Sequence, residues 1–101
     1  MSYFPLLILG VLISVFGIIN IKGNISTIHW YNRRKVKDED IPKYGRAMGI
    51  GTLTIGCSVL ITAILQMIFD FEPLMLIVAI GCIIGVFIML YAQIKYNKGI
   101  F

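Results

Sequence analysis

Hydrophobic residues are gathered into three long runs, and none of these runs contains a charged residue. The runs cover residues 3–21, 47–69 and 74–94. At a rise of about 1.5 Å per residue, roughly 20 helical residues match a bilayer hydrocarbon core of about 30 Å. Inside lipid the backbone must bond to itself, and runs without two-residue alternation favour helices over barrel strands. The pattern therefore predicts three transmembrane helices.

The composition agrees with this pattern and excludes an ordinary water-soluble domain. Of the 101 residues, 58% are hydrophobic and 14% are charged, and the mean hydropathy is +0.90. Soluble domains average about 45–50% apolar and about 25% charged residues. A chain this short cannot hide so much apolar surface from water. The predicted fold class is an all-α integral membrane protein that forms a single membrane domain over residues 1–101.

Charged residues are distributed so unevenly that they predict an orientation in the membrane. All nine lysine and arginine residues lie in the loop 22–46 or in the tail 95–101. The opposite side has the uncharged residues 1–5 and the short turn 70–73, whose charges are acidic. By the positive-inside rule, the basic loop and the C-terminus are cytoplasmic and the N-terminus is outside. No basic segment precedes the first run, so we expect a retained span of the cytoplasmic membrane rather than a cleaved signal peptide.

Small residues recur in each run and indicate where helices pack. Lipid tails are as apolar as leucine, so leucine side chains do not favour a helix contact over lipid, whereas small residues allow two backbones to approach closely. The second run also carries a row of hydroxyl groups at Thr54, Ser58 and Thr62, on the side away from Gly56, which predicts that this helix lies between two neighbours. The hydroxyls could instead bond to carbonyls one turn earlier. The candidate packing residues are Gly10, Ser14, Gly17, Gly49, Gly56, Gly81 and Gly85.

The first half of the loop 22–46 mixes aromatic rings with cations. Such side chains settle at a layer of anionic lipid headgroups. A recognition surface for a peptide or protein is the alternative, and lipid explains the basic residues better than nucleic acid does. The candidate interface or partner residues are Trp30, Tyr31, Arg33, Arg34 and Lys35.

The second half of this loop predicts the start of a helix. Three consecutive acids end at Asp40, a candidate N-cap, and Pro42 follows in the first turn, where a missing N–H group costs little. We expect this helix to run without interruption into the second span, with Lys43, Tyr44 and Arg46 at the membrane interface.

The candidate chemistry is sparse, and it predicts a protein that is not an enzyme and carries no cofactor or metal. His29 is the single histidine and has no cysteine or second histidine beside it in the loop, whereas zinc sites need three or four ligands. Cys57 and Cys82 lie within separate spans rather than in an external loop, so no disulfide framework is expected. The spans also lack the ionisable groups that proton-coupled transporters use.

One segment has the spacing of a known family. Residues 38–49 resemble the acidic-acidic-x-aromatic-x-Lys-x-x-Arg-x-x-Gly segment that enters a transmembrane helix in SdpI-like bacterial immunity membrane proteins and related short multi-pass proteins. The sequence departs from this pattern at Ile41 and Gly45 and lacks the upstream Arg-Thr-Pro element. The resemblance implies protection against, or sensing of, a membrane-active peptide. The matching residues are Asp38, Glu39, Lys43, Arg46 and Gly49.

These observations support a small accessory protein of the bacterial cytoplasmic membrane, with anionic headgroups and either a second copy or another membrane protein as partners. Two alternatives remain. In an oligomeric pore, the side of the second helix that carries Thr54, Ser58, Thr62 and Gln66 would line a polar path. In a larger transporter or signalling complex, the chain would be a small subunit.

Overall fold

The computed structural model of the chain describes residues 3–26, 28, 33 and 35–98. Within these ranges the protein is helical and has no strand. Helix α1 covers Phe4–Ile21, α2 covers Ile41–Phe69 and α3 covers Leu76–Tyr96. Single 3-10 turns at Asp38–Asp40 and Glu72–Met75 precede α2 and α3. All three helices are long and apolar enough to cross a membrane, so the predicted all-helical, multi-pass class is confirmed.

The helix ends follow from local chemistry, with one difference from expectation. Helix α1 ends in a tight turn in which Gly23 has a φ of +98°, a conformation that glycine adopts without strain. Helix α2 begins at Ile41 and carries Pro42 in its first turn, as predicted. Asp40 does precede α2, but its side chain makes no capping hydrogen bond. A backbone hydrogen bond joins the preceding 3-10 turn to α2, since the Ile41 N–H donates to the Asp38 carbonyl.

The third span is displaced from its predicted limits. Residues 72–75 form a 3-10 turn, so α3 begins at Leu76 and continues to Tyr96 in the predicted tail. Helix α2, with 29 residues, has a length of about 43 Å at the usual rise per residue. It therefore exceeds a hydrocarbon core of about 30 Å and extends beyond it.

Helix α2 is central and runs antiparallel to both neighbours. Along α1, Gly10 lies against Leu60 and Gly17 lies against Leu53, so the residue numbers run in opposite directions. Along α3, Gly81 lies against Ser58 and Gly85 lies against Gly51. The two faces of small residues on α2 thus contact the two other helices of the same chain.

Polarity is distributed opposite to that of a water-soluble bundle. The buried side chains include Ser14, Thr62 and Gln66, whereas large hydrophobic side chains such as Phe87 and Leu76 are exposed. The small buried residues allow close helix contact, and the exposed apolar surface requires an apolar solvent. This arrangement is that of a helix bundle in a bilayer.

Candidate functional site at the basic end

The described residues between α1 and α2 fold back onto the helix ends. Ile25 is buried in a cluster with Tyr44, Met48 and Ala92, and Ile28 packs against that cluster. Tyr44 is fully buried, and its hydroxyl donates a hydrogen bond to Gln93 Oε1 on α3. Tyr44 was expected at the membrane interface, and that depth stays a prediction; the structure shows that the ring is packed inside the protein, against the folded loop and α3.

Polar contacts hold this folded segment in place. The backbone N–H of Lys35 donates to Asn97 Oδ1 at 2.8 Å, and Asn97 is fully buried just beyond the end of α3. The Arg33 Nε donates to the Ile28 carbonyl at 2.9 Å. These bonds tie the described residues of the loop to one another and to the end of α3, and together they form a platform at the basic end.

Beside this platform is a cavity of about 480 Å³, which we term the basic cleft. Its charged lining is Lys22, after α1, together with Lys43 and Arg46 on α2. Lys43 and Arg46 are three residues apart and therefore share one side of the helix. The first turn of α2 contributes the partial positive charge of a helix N-terminus. The remaining lining residues are Ile21, Gly23, Pro42, Ala47, Ile50 and Tyr96.

This arrangement suits an anionic group attached to an apolar chain. Three exposed cations can reach the anion, while Ala47 and Ile50 add apolar surface to the lining of the same cleft. A phospholipid combines these two properties, since its phosphate is anionic and its acyl chains are apolar.

The five residues that match the SdpI-like spacing occupy three different environments. Asp38 and Glu39 are exposed in the 3-10 turn, whereas Lys43 and Arg46 line the basic cleft. Gly49 is buried against α1, and a Cβ there would lie 2.5 Å from the carbonyl oxygen of Gly17. The structure therefore does not bring these five residues into one site.

Of the predicted headgroup residues, Trp30, Tyr31 and Arg34 lie outside the described residues. Arg33 is half-buried and directs its Nε to the loop backbone. Lys35 is exposed. The basic cleft instead uses Lys22, which our site prediction omitted although it directly follows the first apolar run.

The structure places the seven predicted packing residues in buried positions between helices. Ser14 and Gly56 meet across α1 and α2, since a Cβ at Gly56 would lie 2.4 Å from Ser14 Oγ. Gly81 and Gly85 both face α2 of the same chain, so this GxxxG pair is not on the outer surface. A GxxxG pair on the outer surface of one chain would favour self-association, so self-association stays a prediction that this buried pair does not support. All seven residues, Gly10, Ser14, Gly17, Gly49, Gly56, Gly81 and Gly85, are buried.

The hydroxyl row on α2 bonds to its own helix. Thr54, Ser58 and Thr62 donate to the carbonyls of Ile50, Thr54 and Ser58 at 2.7, 2.8 and 2.7 Å. This geometry matches the local alternative rather than a polar path. Gln66, the last member of the proposed pore side, is 1% exposed.

Two further residues of the basic end had no counterpart in the sequence-based prediction. Gln93 and Asn97 are buried polar residues that bind the loop and the start of α2. Their one sequence signal is their position, since amides at the end of an apolar run suit polar contacts near the membrane surface.

No protein-family model matches this sequence, and neither curated proteins nor solved structures show significant similarity to it.

Proposed function

We propose that this chain is a small non-enzymatic accessory protein of the bacterial cytoplasmic membrane, which binds an anionic phospholipid headgroup in its basic cleft. The observation that carries the proposal is the convergence of Lys22, Lys43 and Arg46 on one cavity that also has apolar walls. All lysine and arginine residues lie in the loop 22–46 or in the tail 95–101, and this distribution supports a cytoplasmic position for the cleft.

The position of the cleft along α2 supports the same function. Because α2 is longer than a hydrocarbon core, its first two turns extend into the headgroup layer when the rest of the helix spans the membrane. Lys43 and Arg46 are on those turns. A lipid phosphate at this level meets the cations, and its acyl chain continues beside Ile50.

Binding of phosphatidylglycerol tests this proposal. The purified protein is placed in phosphatidylcholine nanodiscs with a small fraction of phosphatidylglycerol, and bound lipid is counted by native mass spectrometry. A basic residue near an anionic lipid contributes about 1 kcal/mol. Lys43→Gln and Arg46→Gln should therefore each weaken retention of phosphatidylglycerol about fivefold.

Lys37→Gln is the matched control, because it removes one charge from an exposed residue at the same end outside the cleft. We expect a smaller effect for this variant. Equal losses for Lys37→Gln and Lys43→Gln would mean that general surface charge, and not the cleft, retains the lipid.

The resemblance to SdpI-like proteins supports a more specific role, which is protection against or sensing of a membrane-active peptide. Deletion of the chain should sensitise its host to such a peptide, and expression of the intact chain should restore resistance. Unchanged sensitivity across a panel of membrane-active peptides would contradict this role while leaving lipid binding to be judged by the nanodisc experiment.

A further inference from the structure

A second polar cavity lies at the opposite end of the bundle, where α1 begins and α2 ends. Its volume is about 510 Å³. The side chains around it come from three separate parts of the chain, so it forms only when the helices are packed. It is lined by Tyr3, Gln66, Asp70, Glu72 and Met75, and we term it the acidic cavity.

Gln66 is the unusual member of this lining. Its side chain is 1% exposed, yet neither Oε1 nor Nε2 has a hydrogen-bond partner among the residues that the structure describes. A buried carboxamide that makes no hydrogen bonds is costly, and a leucine would pack there without that cost. An unpartnered donor and acceptor at the wall of a cavity are therefore suited to a polar ligand.

Asp70 is the second unusual member. It ends α2 in the left-handed conformation, with a φ of 45°, a position where glycine is the least strained residue. The carboxylate accepts a hydrogen bond from the Tyr3 hydroxyl at 3.0 Å, and this bond raises the pKa of the Tyr3 phenol. A carboxylate offers about four acceptor positions, so one bond leaves capacity for a ligand.

The charge of the cavity indicates the sign of its ligand. Asp70 and Glu72 are both exposed to the cavity side of the turn, and the sequence has no lysine or arginine in residues 1–21 or 47–94. These segments therefore supply no basic side chain that could neutralise Asp70 and Glu72. A cation is therefore favoured at this end.

From these contacts, we propose that the acidic cavity binds an alkylammonium group. Its N–H donors would bond to the carboxylates of Asp70 and Glu72 and to Gln66 Oε1, while its methylene groups contact Met75. Gln66 Nε2 would donate to an oxygen of the same ligand. Ethanolamine has this chemistry, either as a free amine or as the headgroup of phosphatidylethanolamine. This inference does not depend on the lipid site at the basic end.

The test follows the side-chain carboxamide resonance of Gln66 by NMR in the full chain in nanodiscs. One arm adds ethanolamine hydrochloride to phosphatidylcholine nanodiscs, and the other replaces part of the phosphatidylcholine with phosphatidylethanolamine. We expect a saturable shift in at least one arm. A shift with ethanolamine identifies a free amine as a ligand, and a shift with the lipid identifies the headgroup.

Three variants and one further salt make the test specific. Asp70→Asn with Glu72→Gln should weaken binding by about tenfold or more, because charge-assisted hydrogen bonds become neutral ones; asparagine also tolerates the left-handed conformation. Gln66→Leu should abolish ligand-dependent stabilisation without lowering the Tm of the unliganded protein. Glu39→Gln, an acid at the other end, should leave binding unchanged.

Tetramethylammonium chloride, which has no N–H donor, should not reproduce the shift. The proposal is overturned if neither arm gives a saturable shift, if tetramethylammonium gives the same one, or if the double variant binds as well as the unchanged chain. An unchanged backbone amide spectrum for each variant shows that it is folded.

Discussion

At the scale of single residues, the polar side chains of the basic end determine how the loop meets the helices. Tyr44 is fully buried and donates its hydroxyl to Gln93, although 49 residues separate the two in sequence. A buried hydroxyl needs such a partner, because the alternative is an unpaired polar group away from water. Tyr44 therefore links the start of α2 to the end of α3.

Tyr44→Phe tests this link. The variant keeps the ring and removes the hydroxyl, so a buried hydrogen bond is lost and the free energy of unfolding should fall by about 1–3 kcal/mol. Reversible unfolding by SDS in mixed micelles measures the change. Tyr91→Phe is the control, since the Tyr91 side chain is 54% exposed and its hydroxyl contacts Lys95 at the surface. A control effect as large as that of Tyr44→Phe would contradict the role of burial.

The sequence could not have predicted the Tyr44 contact. A tyrosine between Lys43 and Arg46 has the pattern of an interface residue, and local pattern cannot show that the loop covers it. The bond from Lys35 to Asn97 likewise joins residues 62 apart. By contrast, the start of α2 was predictable because Asp40 and Pro42 are local signals.

At the scale of helices, α2 approaches both neighbours closely, through backbone and side-chain atoms on each side. Toward α1, a Cβ at Gly17 would lie 2.7 Å from the backbone nitrogen of Leu53, and a Cβ at Gly56 would lie 2.4 Å from Ser14 Oγ. Toward α3, a Cβ at Gly81 would lie 1.8 Å from Ser58 Oγ, and a Cβ at Gly85 would lie 2.6 Å from the Gly51 carbonyl oxygen. The positions of small residues were predictable, but which of them face each other was not, because pairing depends on the register of the helices.

The pairing of Gly81 with Ser58 can be tested by exchange. Gly81→Ala should overpack the contact and reduce the free energy of unfolding by about 1–3 kcal/mol. Adding Ser58→Gly creates room for the new methyl group, so the double variant should be more stable than the two single effects predict. The same SDS titration gives the three values.

Ala79→Val is the control for added volume, because Ala79 is exposed on α3. Its effect should stay within about 0.5 kcal/mol. Strict additivity of Gly81→Ala and Ser58→Gly would show that the two residues do not meet.

At the scale of the whole molecule, the bundle is electrically polar. Its longest dimension is 46 Å, with the basic cleft at one end and the acidic cavity at the other. The sequence predicted this separation because three spans place the loop and the tail on the same side. It did not predict the cavities, since each is formed by residues from separate helices.

This polarity predicts one orientation, which cysteine labelling in bacterial cells can test. The background is Cys57→Ala with Cys82→Ala, and single cysteines are introduced by Phe71→Cys or Glu39→Cys. Both positions are exposed, and neither change removes a lysine or arginine. A membrane-impermeant maleimide should label Phe71→Cys in intact cells, since the acidic turn is outside under the positive-inside rule.

Glu39→Cys should react only after the cells are permeabilised, because the positive-inside rule predicts that the basic end lies at the cytoplasmic leaflet. Equal labelling of both variants after permeabilisation controls for thiol reactivity. Labelling of Glu39→Cys in intact cells, with protection of Phe71→Cys, would reverse the orientation. The basic cleft would then face the outside and the acidic cavity the cytoplasm, so this experiment determines which leaflet supplies the ligand of each site.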